Sequence, residues 1–201
     1  MSKLYTIMLG MVCLGTVAFA QQKESTHFGI NVGVNSAYAT STDTKADALM
    51  AFNAGIYVEK YFSDSWSLKT KIVYDQAGWS GGYINNGNYI TSTDYHLSYL
   101  AIPVLANWHF GHTGNWYLNF GPYVSFLLSA EETATHVAIK KYFSSTDAGL
   151  DLCIGVKFPV SERAKFFIEF NGQGGVTDIN PDDIKPSIRN TISSFNVGFD
   201  F

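Results

Sequence analysis

The sequence predicts an all-β protein, an eight-stranded, antiparallel, up-and-down transmembrane β-barrel. Three observations predict it. Eight segments alternate apolar with small or polar residues, the connections between them alternate long and short, and the chain closes on Phe195-Asn196-Val197-Gly198-Phe199-Asp200-Phe201. Strict alternation gives a strand one apolar and one polar face. In a membrane barrel the apolar face meets lipid, and the last strand pairs with the first so that no backbone edge is left open.

Taken in order, Phe28, Ile30, Val32 and Val34 alternate with Gly29, Asn31, Gly33 and Asn35. Phe52, Ala54, Ile56 and Val58 alternate with Asn53, Gly55, Tyr57 and Glu59. Ser63-Asp64-Ser65 is a tight-turn signal, after which Leu68, Ile72 and Tyr74 alternate with Lys69, Lys71 and Asp75. The fourth segment, Tyr95 to Trp108, is more continuously apolar, with Leu100, Ile102, Val104 and Trp108 assigned to one face. After Gly111-His112-Thr113-Gly114-Asn115 come Leu118, Phe120, Val124 and Phe126, opposite Asn119, Gly121, Tyr123 and Ser125. Leu150, Leu152, Ile154, Val156 and Phe158 oppose Asp151, Cys153, Gly155 and Lys157, and Phe166, Ile168 and Phe170 oppose Lys165, Glu169 and Asn171. The closing strand is the eighth, and its partner is expected to be Phe28 to Tyr38. Residues 39–49, 79–94, 129–146 and 174–190 read as long polar loops, and 62–65, 110–115 and 159–163 as short turns. Outer-membrane barrels combine long extracellular loops with short periplasmic turns, and an even strand number places both termini on the periplasmic side.

The amino terminus reads as an export signal. Lys3 is a positive n-region, Leu4 to Val17 a short apolar run, and Ala18-Phe19-Ala20 a cleavage site. Residues 1–20 are therefore expected to be removed and 21–201 to form one barrel domain, located in a bacterial outer membrane. Cys13 follows bulky Val12 well before the cleavage site, which does not fit lipoprotein processing. Loss of Lys3 leaves 12 basic against 17 acidic side chains, a formal charge of −5, so no basic surplus points to nucleic acid. One cysteine then remains, Cys153, which cannot form an intramolecular disulfide and reads as a small buried filler. Mean hydropathy is close to zero, as it must be when lipid-facing and inward residues alternate. Tyr61, Phe62, Trp66, Trp108, Phe110, Trp116 and Phe199 gather near the short-turn ends. Tyr38, Trp79, Tyr83, Tyr89, Tyr95, Tyr142 and Phe143 gather near the long-loop ends. Two such groups read as aromatic belts at the membrane interfaces.

Several of these elements carry a family resemblance. Leu100-Ala101-Ile102-Pro103-Val104-Leu105, Phe120-Gly121-Pro122-Tyr123-Val124, Gly175-Val176-Thr177-Asp178-Ile179 and Arg189-Asn190 before the closing strand resemble motifs of the PorT-like outer-membrane β-barrel family of Bacteroidetes. The resemblance covers nearly all of the chain after the leader and implies the barrel fold. One member of that family is associated with protein secretion across the outer membrane, but the shared motifs are strand and turn elements, and none carries that role.

An eight-stranded barrel has room inside only for its own side chains. The polar parity directs Glu59, Asp75, Asp151, Glu169 and Asp200 inward against Lys69, Lys71, Lys157 and Lys165. Unpaired charges there would be costly, so a salt-bridged plug is expected rather than a charged ion path. The five histidines, His27, His96, His109, His112 and His136, show no metal-ligand spacing, and His109 and His112 read as surface residues of a turn. Glu131-Glu132 and Asp182-Asp183 lack the regular acidic pattern of a calcium loop and read as solvated charge pairs. No metal or cofactor is expected. His96-Leu97-Ser98 places an imidazole and a hydroxyl on one strand face, a pattern similar to that of outer-membrane lipid A deacylases. That chemistry needs an orienting acid, which the sequence does not supply, and Tyr99 stands where those enzymes carry an asparagine. Trp79, Tyr83 and Tyr89 lie in a Gly-, Ser- and Asn-rich stretch of adaptable binding composition, for which the simpler reading is strand extensions around an Asn86-Gly87 turn. The expectation is a non-enzymatic, monomeric barrel with a plugged lumen and a structural or surface-interaction role. Its partners would be outer-membrane lipid, lipopolysaccharide and the assembly machinery, the last engaged through the C-terminal strand. The alternatives are a narrow passive channel, a secretion-associated component and a lipid-modifying enzyme.

Overall fold

Eight antiparallel strands close into a ring in sequence order, with β1 paired to both β2 and β8. The computed structural model describes residues 25–41, 47–85, 90–180 and 187–201. The expected leader, Tyr89, Asn86-Gly87 and Asp182-Asp183 lie outside them. The strands are β1 (Thr26–Ser41), β2 (Leu49–Tyr61), β3 (Trp66–Asn85), β4 (Ile90–Phe110), β5 (Trp116–Glu132), β6 (Thr146–Pro159), β7 (Lys165–Gly175) and β8 (Ile188–Asp200). A single 3-10 turn, η1 (Lys140–Tyr142), interrupts the β5–β6 connection.

Closure follows the register that alternation requires. Gly29 pairs with Asp200 and Tyr38 with Thr191, so β8 lies along the first strand from Phe28 to Tyr38, and Phe201 adds a reciprocal pair of backbone hydrogen bonds with Phe28. Phe195, Phe199 and Phe201 point out of the barrel, whereas Asn196 and Asp200 are buried inside it. Because side-chain direction has a period of two, the same parity runs around the ring. The outward set, from Phe28 and Ile30 through Phe52, Ile56, Ile72, Phe120, Leu152 and Phe170, is exposed, and the inward set is buried and largely polar below its long-loop end. A soluble protein inverts this arrangement. Trp66 and Trp108 stack at the short-turn rim and Phe120 meets Trp66 edge-on, as an interfacial belt requires.

Four expectations are corrected. The stretch 79–94 is largely strand, because β3 runs to Asn85 and β4 starts at Ile90, and 39–41 belong to β1. Tyr61 shares the inward parity of Tyr57 and Glu59, so its hydroxyl meets Lys157 at the barrel mouth rather than lipid. His109 is not a turn residue; it is the last inward position of β4 and is buried. Trp79 does not project from a loop, because its ring lies 4.9 Å from Tyr95 and 6.0 Å from Phe143, over the end of the barrel.

Candidate functional site

The lumen is filled by charged and aromatic side chains that the inward parity brings together from distant strands. Glu59 is its hub. Lys157 Nζ lies 3.0 Å from Glu59 Oε2 and 2.7 Å from Asp200 Oδ2, and Lys69 Nζ lies 3.6 Å from Glu59 Oε2. Ser67 and Asn107 donate to Glu59 Oε1, and His109 Nε2 lies 2.8 Å from it. Lys69 is also held between two rings, its ammonium 4.7 Å from the Tyr57 centroid and 4.6 Å from that of Tyr117. A second group lies further from the mouth. Lys71 donates to Glu169 at 2.7 Å, and Glu169 also accepts from Tyr117 and Asn196. Above it, Asp75 accepts from Asn35, and Asp151 from Asn171 and Gln173. Lys165 is only half-buried and stands at the mouth, apart from this network. Cys153 is buried on the same inward face.

Sequence reasoning missed three contributors. His109 shares the parity of Asn107, but its position beside a turn masks this. Asp147, the second residue of β6, accepts from Thr177 and Asn190. The third is an apolar cap. Ala37, Ala77, Leu97, Leu127 and Ile192 from the strands meet Ile139 and Ile179 from the two long connections, with Trp79, Tyr95 and Phe143 packed against them. This cap covers the long-loop end of the lumen. Below it, the cavity between Asn53, Lys71 and Asp151 holds about 20 Å³, room for a single water.

The model of an outer membrane protein beta-barrel domain matches residues 19–180. The chain belongs to that family of outer-membrane β-barrels. Solved structures agree on the fold. It is similar to the neisserial surface protein A at 16% identity, with a TM-score of 0.53 over 88% of this chain and 98% of that one. It is also similar to the outer membrane protein OprG from Pseudomonas aeruginosa at 15% identity, with a TM-score of 0.55 over 88% of this chain and 95% of that one. No curated protein matches.

On this outer-membrane barrel the residues above the apolar band form two further groups. The first is a strap. Glu132, at the end of β5, accepts from the Thr93 and Thr135 hydroxyls and from the backbone N–H groups of Ala134 and Thr135. Burial pushes its carboxyl up, but these donors outweigh burial and hold it below the usual carboxylate range. A depressed carboxyl contributes stability that is full above the ordinary value, about 4.3, and is lost only as pH falls through the lowered one. The strap is therefore expected to hold through mild acid. Glu132→Ala should speed hydrogen exchange at the Ala134 and Thr135 amides by about tenfold at neutral pH, the effect of losing a shared acceptor. Unchanged exchange would show that the connection is held without it.

The second group faces outward. His96 and Ser98 share the lipid-side face of β4, and Glu131 of β5 is the direct cross-strand partner of His96. The acid that the sequence could not supply is thus a neighbour, but the catalytic chain is not assembled. Ser98 Oγ accepts from the Tyr74 hydroxyl at 2.9 Å, and Glu131 is engaged by His136 at 3.1 Å. Among the described residues no hydrogen bond joins His96 to Ser98. Of the loop candidates, Tyr83 is 72% exposed at the tip of β3, whereas Trp79 belongs to the cap.

Proposed function

We propose that this chain is a non-enzymatic outer-membrane barrel whose lumen is structural and whose long-loop end provides the working surface. The observation that carries this reading is a lumen closed twice, by paired charges and by the apolar cap. The β3–β4 hairpin supports the second half. It continues ten residues beyond Asp75, roughly 30 Å along the strand, and presents Tyr83 and Ile90 to solvent. On this reading the leader is removed after Ala20, the termini face the periplasm, and the long loops face outward. The barrel is a monomer seated in lipid and lipopolysaccharide, and its closing strand engages the assembly machinery. The strand motifs favour the PorT-like branch of Bacteroidetes barrels.

Planar-bilayer recording tests the reading. The purified barrel should insert and give no steady single-channel conductance. Stepwise openings of reproducible size would replace the plug by a narrow channel.

A further inference from the structure

We infer that the outward groove between β3, β4 and β5, just above the apolar band, is a binding site for the saccharide headgroup of an outer-leaflet glycolipid. The groove encloses about 400 Å³ and is lined by Tyr74, Gln76, His96, Ser98, Ser129 and Glu131, with His136 closing its top. Its height is fixed by register. Tyr74, Leu100 and Phe126 form one cross-strand row, the last with a ring at the edge of the apolar wall. Gln76, Ser98 and Ser129 form the next outward row. A lipid whose chains lie along Leu100, Phe126 and Leu128 therefore has its headgroup at the level of the groove.

The groove is built rather than left over. The β4–β5 register jumps between Ser98–Ser129 and Tyr99–Leu127, so Leu128 is an extra residue on β5. This bulge turns both Leu128 and Ser129 outward and places Glu131 opposite His96. Bulges recur where a strand must re-aim side chains. The lining also selects among headgroups. It offers hydroxyls, one amide and two imidazoles, which donate and accept hydrogen bonds as sugar hydroxyls require. Neither lysine nor arginine lines it and its one carboxylate is Glu131, so the groove suits the sugar part of a headgroup, with any phosphate lying outside it. The Tyr74 hydroxyl and Ser98 Oγ form one pair, 2.9 Å apart, that can bridge to a sugar hydroxyl. The inference rests on the long-loop end facing the outer leaflet in cells, but its test does not.

The test is native mass spectrometry of the full barrel released from micelles doped with rough lipopolysaccharide, which carries lipid A and its sugar core, or with phosphatidylethanolamine alone. Both rims meet both lipids, so the outcome is independent of cellular orientation. Wild-type protein should retain rough lipopolysaccharide in preference to phosphatidylethanolamine. Ser98→Leu combined with Ser129→Leu should weaken retention about tenfold, as expected when one or two hydrogen bonds are lost. Tyr74→Phe, which removes one hydroxyl and keeps the fold, should shift retention in the same direction by a smaller factor. Ser193→Leu, at an outward position of β8 that does not line the groove, should leave it unchanged. Folding of each variant is checked by heat-dependent gel mobility. Equal retention of both lipids, or equal loss in Ser193→Leu, would overturn the site. Return of a deacylated lipid mass would overturn it in favour of chemistry at Ser98.

Discussion

Glu59→Leu should lower the stability of the barrel against urea, measured in lipid vesicles, by about 3–5 kcal/mol, the cost of removing one partner from a buried ion pair. Glu59 is fully buried and serves two ammonium groups, one imidazole, one hydroxyl and one amide. The partners do not suffer equally. Lys157 keeps Asp200 at 2.7 Å, so its charge remains compensated. Lys69 loses its close carboxylate and keeps the faces of Tyr57 and Tyr117 and the more distant charge of Glu169. Two cation–π contacts contribute about 1–2 kcal/mol each when desolvated, less than the desolvation of an ammonium group. Two variants isolate the cause. Glu59→Gln keeps an acceptor for Ser67 and Asn107 and should cost less than Glu59→Leu. Adding Lys69→Met to Glu59→Leu removes the stranded charge and should recover a large part of the loss. A drop below about 1 kcal/mol in Glu59→Leu would mean that water reaches Lys69, since solvated pairs contribute no more than that, and the lumen would then be an open path rather than a plug.

The parity of this network was legible in the sequence, and its pairing was not. A period of two assigns each strand residue to a face as soon as one residue of that strand is assigned, so Glu59, Lys69, Lys71 and Lys157 could be turned inward without coordinates. Which charge meets which depends on the stagger at which the ring closes. Lys71 and Glu169 are 98 residues apart, as are Glu59 and Lys157, and no local pattern joins them. His109 fails for a different reason: one residue more of strand moves it from turn to lumen. The apolar cap is harder still, because Ile139 ends the short run Val137-Ala138-Ile139 and Ile179 stands alone between Asp178 and Asn180, and neither carries a period. The bulge at Leu128 does leave a trace. Leu127-Leu128-Ser129-Ala130 breaks the alternation that precedes it, but a break alone does not say which residue is extra. The outward groove it shapes therefore became visible only once β3, β4 and β5 were set side by side.

Replacing Gly155 by valine should destabilise the barrel by about 1–3 kcal/mol, the range for overpacking a filled interior, although no hydrogen-bonding group is removed. Gly155 is the direct cross-strand partner of Tyr117, and a Cβ placed on it would lie 2.3 Å from Tyr117 Cζ. Gly29 stands in the same relation to Tyr57, with an added Cβ 2.2 Å from that ring. In both pairs the bare glycine backbone gives the aromatic ring room to lie across the neighbouring strand, a known device for covering strand glycines. Here the device also positions charge. The two rings so seated are those on either side of the Lys69 ammonium, and the Tyr117 hydroxyl donates to Glu169 at 3.0 Å. A side chain at Gly155 must push Tyr117 off both partners, so its effect should depend on that ring. A double-mutant cycle measures the dependence. Gly155→Val alone should cost more than Gly155→Val in a Tyr117→Leu background, with a coupling of about 1 kcal/mol or more between contacting residues. Purely additive losses would mean that the glycine serves strand curvature and not the ring, and the placement of Lys69 would need another cause.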